Sequence, residues 1–507
     1  MKRSQLAACL LALACFLGPA GQWSLYGRTM YLAPDGDDSV ECGPGAAFRT
    51  LKRAVECLAP GDTLTVREGD YPGGVWISVA ATAEAPVLIQ GESLEAVITG
   101  SGSEIDALRV QDASHVIIDR LTVRQATRAG LAVRFSDHVR VANCRFADNG
   151  TWGIFTSFAD DIHFEGNECC GSVEQHGIYH SNSGDRFVIR GNLVHDNAGN
   201  GIHLNGDPEI QGGDGVLNFG VVEGNTIYGN GMRGGGAINM THVHDVLVRN
   251  NLIYLNYAGG ITVYQDTGTF EQGSKRVVIT GNTVYYRSHT GRSGVNIQTT
   301  SEKVLVAGNI FVSGGNRGNL QVESDHLSSI VSDCNVFWGA GEEGVLERRD
   351  KRYSLDYWRS LTGNDLHSVV ADPQFTNIDS ADFRPAAASP AVDAGMPPDS
   401  LRAALERLGG FEWVLGRLDS LPAEDIRGRQ RPQGAGPDAG AYETGDEPTG
   451  MYDFNRDGRL SVADAVALIL LARADPSDPA VDLNGDGRYS MADVIRLVLI
   501  LRDRPAA

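Results

Sequence analysis

The sequence predicts an all-β parallel solenoid followed by a small α-helical calcium-binding module, and three observations carry that reading. Short strands of one type recur: GIYHS at Gly177 and GIHLN at Gly201 stand 24 residues apart. At such a spacing each coil of a solenoid buries its apolar face on the next. A column of asparagines runs through the same coils, and two twelve-residue acidic loops start at Asp453 and Asp482.

Length and charge bound the rest. At 507 residues the chain is long enough for more than one domain. Its net charge of −21, with only five lysines, excludes nucleic acid and anionic membrane as expected partners. Residues 1–20 read as an export signal: Lys2 and Arg3, an apolar run from Leu6 to Leu17, then Gly18 and Ala20. That run is too short to span a bilayer, so membrane insertion is not expected. A lipid anchor at Cys15 is disfavoured by Ala12, Leu13 and Ala14 before it. Location outside the cell permits disulfides, with Cys42 and Cys57 the preferred pair; Cys144, Cys169 and Cys170 read equally well as small buried residues.

Residues 28–88 read as a cap and the first coils. Phe48, Leu51, Ala54, Val55 and Leu58 share one helical face over residues 47–58, and TLTV and VWISV follow as strands. A helix there would cover the open end of the solenoid. YLAPDGDD, the PGDTLTV turn and strand, and the EGDYPGG turn resemble the N-terminal cap of secreted right-handed parallel β-helix proteins of the pectate-lyase-like superfamily. Right-handedness is what that resemblance implies.

The coils occupy residues 89–340. Asn143, Asn167, Asn192, Asn225, Asn251, Asn282, Asn309 and Asn335 align in one column, and the residue two later is mostly apolar, as at Val194, Ile227, Ile253, Val284 and Phe311. Such a column satisfies backbone groups left unpaired by tight bends. Period-two alternation turns Ile202 and Leu204 inward, and therefore His203 and Asn205 outward. His195, Tyr228, Tyr254 and Tyr285 form a further column read as simple stacking.

Residues 341–444 hold the last coils and a closing segment. DFRPAAASPAVDAG, DIRGRQRP and GAYE resemble the tail of many secreted β-helix proteins, with a Leu- and Arg-rich helical insert at 401–418. Residues 445–450 have the composition of a linker. The module at 451–504 places Asp453, Asn455, Asp457, Ser461 and Asp464, then Asp482, Asn484, Asp486, Ser490 and Asp493, at positions 1, 3, 5, 9 and 12 of its loops. This spacing wraps hard oxygens round one point, while Gly458 and Gly487 permit the turn. The tandem loops, their 29-residue offset and Asp at position 12 make the module similar to type I dockerins. That similarity implies two Ca2+ ions and a cohesin domain as partner, although Val462, Ala463, Met491 and Ala492 replace the Ser-Thr recognition pairs of many dockerins.

The expected site is the outward face of the strands. One column runs Phe155, Tyr179, His203, Asn239, Thr262, Asn296, and its neighbour Ser157, Ser181, Asn205, Thr241, Tyr264, Gln298. Coils repeat at about 4.8 Å, close to the advance of a sugar ring along a polymer, so this face suits a polysaccharide. His203, Tyr179, Asp207, His176 and Asn205 are the candidate catalytic residues, and Asn239, Thr241, Tyr264, Asp266 and Arg233 the candidate substrate-binding ones. Long loops after the strands are expected to bring Asp207, Asp214, Asp266 and Glu271 to a cleft. Lys275 and Lys303 read as solvated charges. Three enzymatic readings follow. β-Elimination of a uronate polymer would use His203 or Tyr179 as base, with Arg233 or a calcium ion beside Asp207 as neutraliser. Epimerisation would use the same pair, and hydrolysis would use two of the carboxyls. A non-catalytic carbohydrate-binding or surface protein is the alternative class. The expected whole is a secreted monomer, attached through its dockerin-like module to a scaffold or surface.

Overall fold

Each coil contributes three short parallel strands, one to each face of the solenoid. In one coil these are Ile178–Ser181, Val188–Arg190 and Leu193–His195; in the next they are Ile202–Asn205, Leu217–Glu223 and Thr226–Tyr228. The computed structural model describes residues 27–445 except 103, 287–291, 299, 315–316, 324–326, 340–345 and 349–350, together with 454, 467–469, 471–472 and 483. Residues 26–444 form one unit. The expected export signal, residues 446–450 of the expected linker and every expected calcium ligand lie outside the described residues.

Alternation sets the register. Ile178 pairs with Ile202, then Ile238 and Ile261, and all four are fully buried. Val194, Ile227, Ile253, Val284 and Phe311 stack likewise on another face, so both expected apolar columns are core. Parallel pairing is affordable here because the faces fold back on one continuous interior.

The asparagine ladder holds the bends. Asn225 Nδ2 donates to the Ile189 carbonyl and to Asn251 Oδ1, both at 2.9 Å, and Asn225 Oδ1 accepts from the Asn192 backbone N–H at 2.9 Å. The pattern continues from Asn167 to Asn335. Asn143 is not in it. Cys144 takes the ladder position, its N–H donating to Asn167 Oδ1 at 2.9 Å. Asn143 instead takes the left-handed slot (φ 54°) that Gly166, Gly191 and Gly224 fill in later coils. A second ladder, Asn197 to Asn230 to Asn256, stands five residues further along each coil.

The N-terminal helix is shorter than expected. Ala47–Phe48 is a strand, and the helix runs Leu51–Glu56 because the Thr50 hydroxyl accepts from Arg53 N–H and starts it there. Cys42 and Cys57 form a disulfide with their Cα atoms 5.4 Å apart. Cys144, Cys169 and Cys170 are buried free thiols.

The far end is closed differently from the expectation. The helix Leu355–Thr362 puts Leu355 and Trp358 into the main core. Residues 371–444, expected to close the end, run back along the outside. Phe383, Ala391 and Ala439 cover Leu252, Tyr285 and Ile310. Helices Pro398–Leu408 and Glu412–Ser420 cover Leu247, Val278 and Leu305 with Leu405, Phe411 and Val414. No helix among the described residues is long and apolar enough to cross a membrane.

Candidate functional site

The expected outward column exists as a continuous register. Phe155 pairs with Tyr179, Tyr179 with His203, His203 with Asn239, Asn239 with Thr262 and Thr262 with Asn296. Beside it Ser181 pairs with Asn205, Asn205 with Thr241 and Thr241 with Tyr264. One end is aromatic: Trp152 stacks on Phe155 at 4.5 Å, and Tyr179 stacks on His203 at 5.0 Å. Arg128 lies 5.6 Å over Phe155 while its guanidinium holds Asp106 at 2.7 Å.

His176 and His203 form the centre. The Asn200 backbone N–H donates to His176 Nδ1 at 3.0 Å, so the ring proton of His176 sits on Nε2. Nε2–H then donates to His203 Nδ1 at 3.1 Å, which puts the His203 proton on its own Nε2. That Nε2 is buried and has no hydrogen-bond partner. Burial, and secondarily the neighbouring His176, hold the His203 pKa well below its ordinary value. Burial alone takes His176 down to about 4. His203 is therefore a neutral ring that donates, and the expected role as base does not survive: its only lone pair is taken.

The remaining polar groups are paired across coils. Asn205 Nδ2 donates to the Tyr179 hydroxyl and Asn239 Nδ2 to the Tyr264 hydroxyl, each at 3.2 Å. Burial pushes the Tyr179 phenol up, with the Asp207 and Asp266 charges adding to it against the Asn205 hydrogen bond. Asn205 Oδ1 accepts from the Asp207 backbone N–H at 3.0 Å, fixing the left-handed turn (φ 53°) that presents Asp207. Burial, then the charges of Asp266 and Glu209, raise the Asp207 carboxyl.

Asp266 goes the other way. Burial, the largest single influence, opposes its charge, but His242 together with the backbone N–H groups of Asp266 and Thr267 holds the carboxyl below the ordinary range. His242 Nδ1–H donates to the Gln272 carbonyl at 2.9 Å, and Nε2 faces Asp266 Oδ1 at 2.8 Å. Thr241 donates to the same oxygen at 3.4 Å. The loop carrying Gln272 is pinned to the loop after Asp207 by Gln272 Nε2 donating to the Asp214 carbonyl at 2.8 Å.

Some expected residues stand apart. Arg233 is exposed on the turn before Gly236–Thr241, its backbone N–H bonded to the Ala198 carbonyl, and it joins none of these hydrogen bonds. Asp214 is exposed and caps Val216 N–H at 3.0 Å. Glu271 pairs with Lys275 at 3.1 Å. Lys275 is not a solvated charge: it is buried between Glu271 and Glu302, and Lys303 Nζ donates to the Gly409 carbonyl at 2.9 Å. Calcium beside Asp207 would have to draw on Asp207 and the second oxygen of Asp266. Two carboxylates are a thin set for an ion that takes six to eight oxygens. No cluster of three His, Cys, Asp or Glu donors among the described residues includes Asp207. The set does not fit a resident ion. Asn200 and Gln272 went unnoticed in the sequence; the only signal was the Asn directly before the Gly201 strand.

The comparisons agree with this architecture. Residues 87–212 and 205–336 match the family described as right handed beta helix region. The uncharacterized protein YwoF of Bacillus subtilis (strain 168) is 26% identical over 443 residues, covering 70% of this chain and 90% of that protein. Among solved structures, pectate lyase Pel9A is similar with a TM-score of 0.54 at 14% identity, covering 83% of this chain and 98% of Pel9A. An alginate lyase from Paenibacillus sp. str. FPU-7 gives 0.44 at 20% identity, over 59% and 94%. The Pel9A likeness bears on the fold alone, and the family match shows that residues 87–336 form a right-handed β-helix region.

Proposed function

We propose that the groove binds an acidic, uronate-containing polysaccharide and cleaves it by β-elimination. The observation that carries this reading is the buried, unpartnered Nε2–H of neutral His203 beside Tyr179. A buried donor without an acceptor is costly unless a ligand supplies one. The sugar carboxylate is such an acceptor, and its negative charge grows as the enolate-like intermediate forms. A neutral imidazole N–H is the electrophile suited to that charge.

Elimination removes the C5 proton, breaks the C4–O bond and leaves a C4=C5 double bond. Asp207, with its proton affinity raised, takes the C5 proton. Tyr179, kept as a phenol by burial, gives its proton to the departing glycosidic oxygen. The proton on Asp207 then returns through water to Tyr179. Trp152 and Phe155 offer sugar-stacking faces along the same groove. A fold shared with a pectate lyase supports the substrate class.

Hydrolysis is the second reading, favoured by the opposed shifts of Asp207 and Asp266, which separate an acid from a base. Epimerisation would use the same proton groups with the C4–O bond kept. Replacing His203 by Ala separates enzyme from binder. An enzyme loses about 100-fold or more in turnover, whereas a groove that only holds glycan loses affinity modestly and has no turnover to lose.

The chain is further proposed to be exported through residues 1–20 and to act as a secreted monomer. Two Ca2+ ions would sit in the loops from Asp453 and Asp482, and the module they fold would dock to a cohesin domain on a scaffold or surface. The tandem twelve-residue spacing supports the ions.

A further inference from the structure

A second cluster of chemistry-bearing side chains stands on another face of the solenoid. Strands Glu168–Cys170 and Leu193–His195 are neighbours, and Cys170 pairs directly with His195. Alternation turns Cys169 into the core and Glu168 and Cys170 to the outer face, where neighbouring side chains still bury Cys170. His195 Nε2 lies 3.2 Å from Glu168 Oε1, and Cys170 Sγ lies 3.7 Å from the same oxygen. All three donor atoms fall within 4.8 Å of one another. Ligands bound at ordinary zinc distances to one tetrahedral ion sit about 3.3 to 3.8 Å apart.

Two of the three donors, His195 and Glu168, are oriented by partners outside the cluster. His195 Nδ1–H donates to Asp196 Oδ2 at 2.8 Å, which leaves Nε2 facing the cluster. This is the carboxylate–histidine arrangement that fixes the tautomer of a metal-binding imidazole. Asp196 reaches it from a left-handed turn (φ 54°), and Gly229 leaves it room: a Cβ at 229 would lie 2.3 Å from Asp196 Oδ1. The Tyr228 ring, 4.8 Å away and 8° from parallel, fixes the imidazole plane. Arg145 engages the other oxygen of Glu168 at 3.3 Å and leaves Oε1 to the cluster. The His195 side chain is 15% exposed, which leaves an opening for a fourth ligand.

We propose that Glu168, Cys170 and His195 bind a zinc-type divalent cation, with water as the fourth ligand, and so tie two adjacent coils together. A thiolate, an imidazole and one carboxylate suit a borderline-soft ion rather than calcium. Binding releases the Cys170 thiol proton and any proton on His195 Nε2. The group Asp333, Cys334 and His367 is the contrasting case. Both Asp333 oxygens are already taken by His367, through its backbone N–H and its ring, each at 2.7 Å, and the His367 side chain is 74% exposed.

The test is to strip the full-length protein of metal and titrate it with Co2+, following thiolate-to-cobalt charge-transfer absorption. The calcium loops contain no cysteine, so they give no thiolate band. The proposal expects a band that saturates at one equivalent, is abolished by added Zn2+ and in Cys170→Ser, and persists in Cys334→Ser. Asp196→Asn weakens the apparent affinity about 10- to 100-fold. Absence of the band in the wild type, or its survival in Cys170→Ser, overturns the proposal. Should Cys170→Ser not fold, Glu168→Gln decides: a loss of affinity of at least about tenfold with an unchanged circular dichroism spectrum upholds the site, and unchanged affinity rejects it.

Discussion

His176 Nε2–H donates a hydrogen bond to His203 Nδ1 across 3.1 Å, and the Asn200 backbone N–H on His176 Nδ1 at 3.0 Å fixes the direction of that bond. The consequence is chemical. His203 meets a substrate as a neutral donor at any pH where this chain of hydrogen bonds stands.

The first prediction follows from that chain. In a proton NMR titration His203 shows no protonation between pH 5 and 8 in the wild type. In His176→Ala its Nδ1 is released and a titration appears, moved toward the ordinary value near 6.5. A wild-type His203 that titrates near 6.5 contradicts the hydrogen-bond assignment.

Acid stability is the second. His180 is fully buried between the Thr156 hydroxyl at 2.7 Å and the Gly184 carbonyl at 3.1 Å, and burial takes its pKa down to about 4, as it does for His176. Both groups are lower in the folded than in the unfolded chain, so the unfolded chain takes up protons first as pH falls. Stability is whole above about pH 6.5 and is withdrawn between there and pH 4. His180 alone accounts for about 3 kcal/mol at the acid end of that window. His180→Gln flattens the decline of Tm with pH; an unchanged slope counts against this source of acid sensitivity.

The ladder supplies the third. Asn225→Ala leaves the buried Asn192 N–H without a partner and takes the side-chain donor from the Ile189 carbonyl, which keeps its strand pairing. The orphaned N–H costs about 1 to 3 kcal/mol. Asn143→Gly, at a left-handed position outside the ladder, stays within about 1 kcal/mol of the wild type. Denaturant unfolding of the two variants reads the difference, and equal losses contradict the assignment of the ladder position to Cys144.

These cases show what the sequence carries and what it does not. Val194, Ile227 and Ile253 announce themselves because burial repeats with the coil. His203 and Asn205 follow from alternation with Ile202 and Leu204. Asn143 misleads because an asparagine suits both a left-handed turn and a ladder, and only the backbone tells them apart. The tautomer of His203 depends on an N–H from Asn200 that reaches it through His176, and no local pattern encodes such a relay. Lys275 looks solvated until Glu271 and Glu302 are brought to it by strand pairing. Residues 371–444 carry tail motifs, yet their apolar residues match outward-facing Leu247, Val278 and Leu305, which composition alone does not reveal.

The fourth prediction concerns the C-terminal loops. Calorimetric titration of calcium-free protein finds two Ca2+ sites, and helical circular dichroism rises with their filling. Asp453→Ala with Asp482→Ala removes both effects. Retained binding in that double variant contradicts the ligand assignment.

The most direct test of the account is to weigh what the calcium-loaded protein makes from a panel of acidic and neutral polysaccharides. β-Elimination yields oligosaccharides from a uronate polymer that carry unsaturated ends, with no gain of water per cut, and they disappear in His203→Ala. Products heavier by one water per cut, unchanged chain length with altered stereochemistry, or no change on any polymer would each contradict β-elimination.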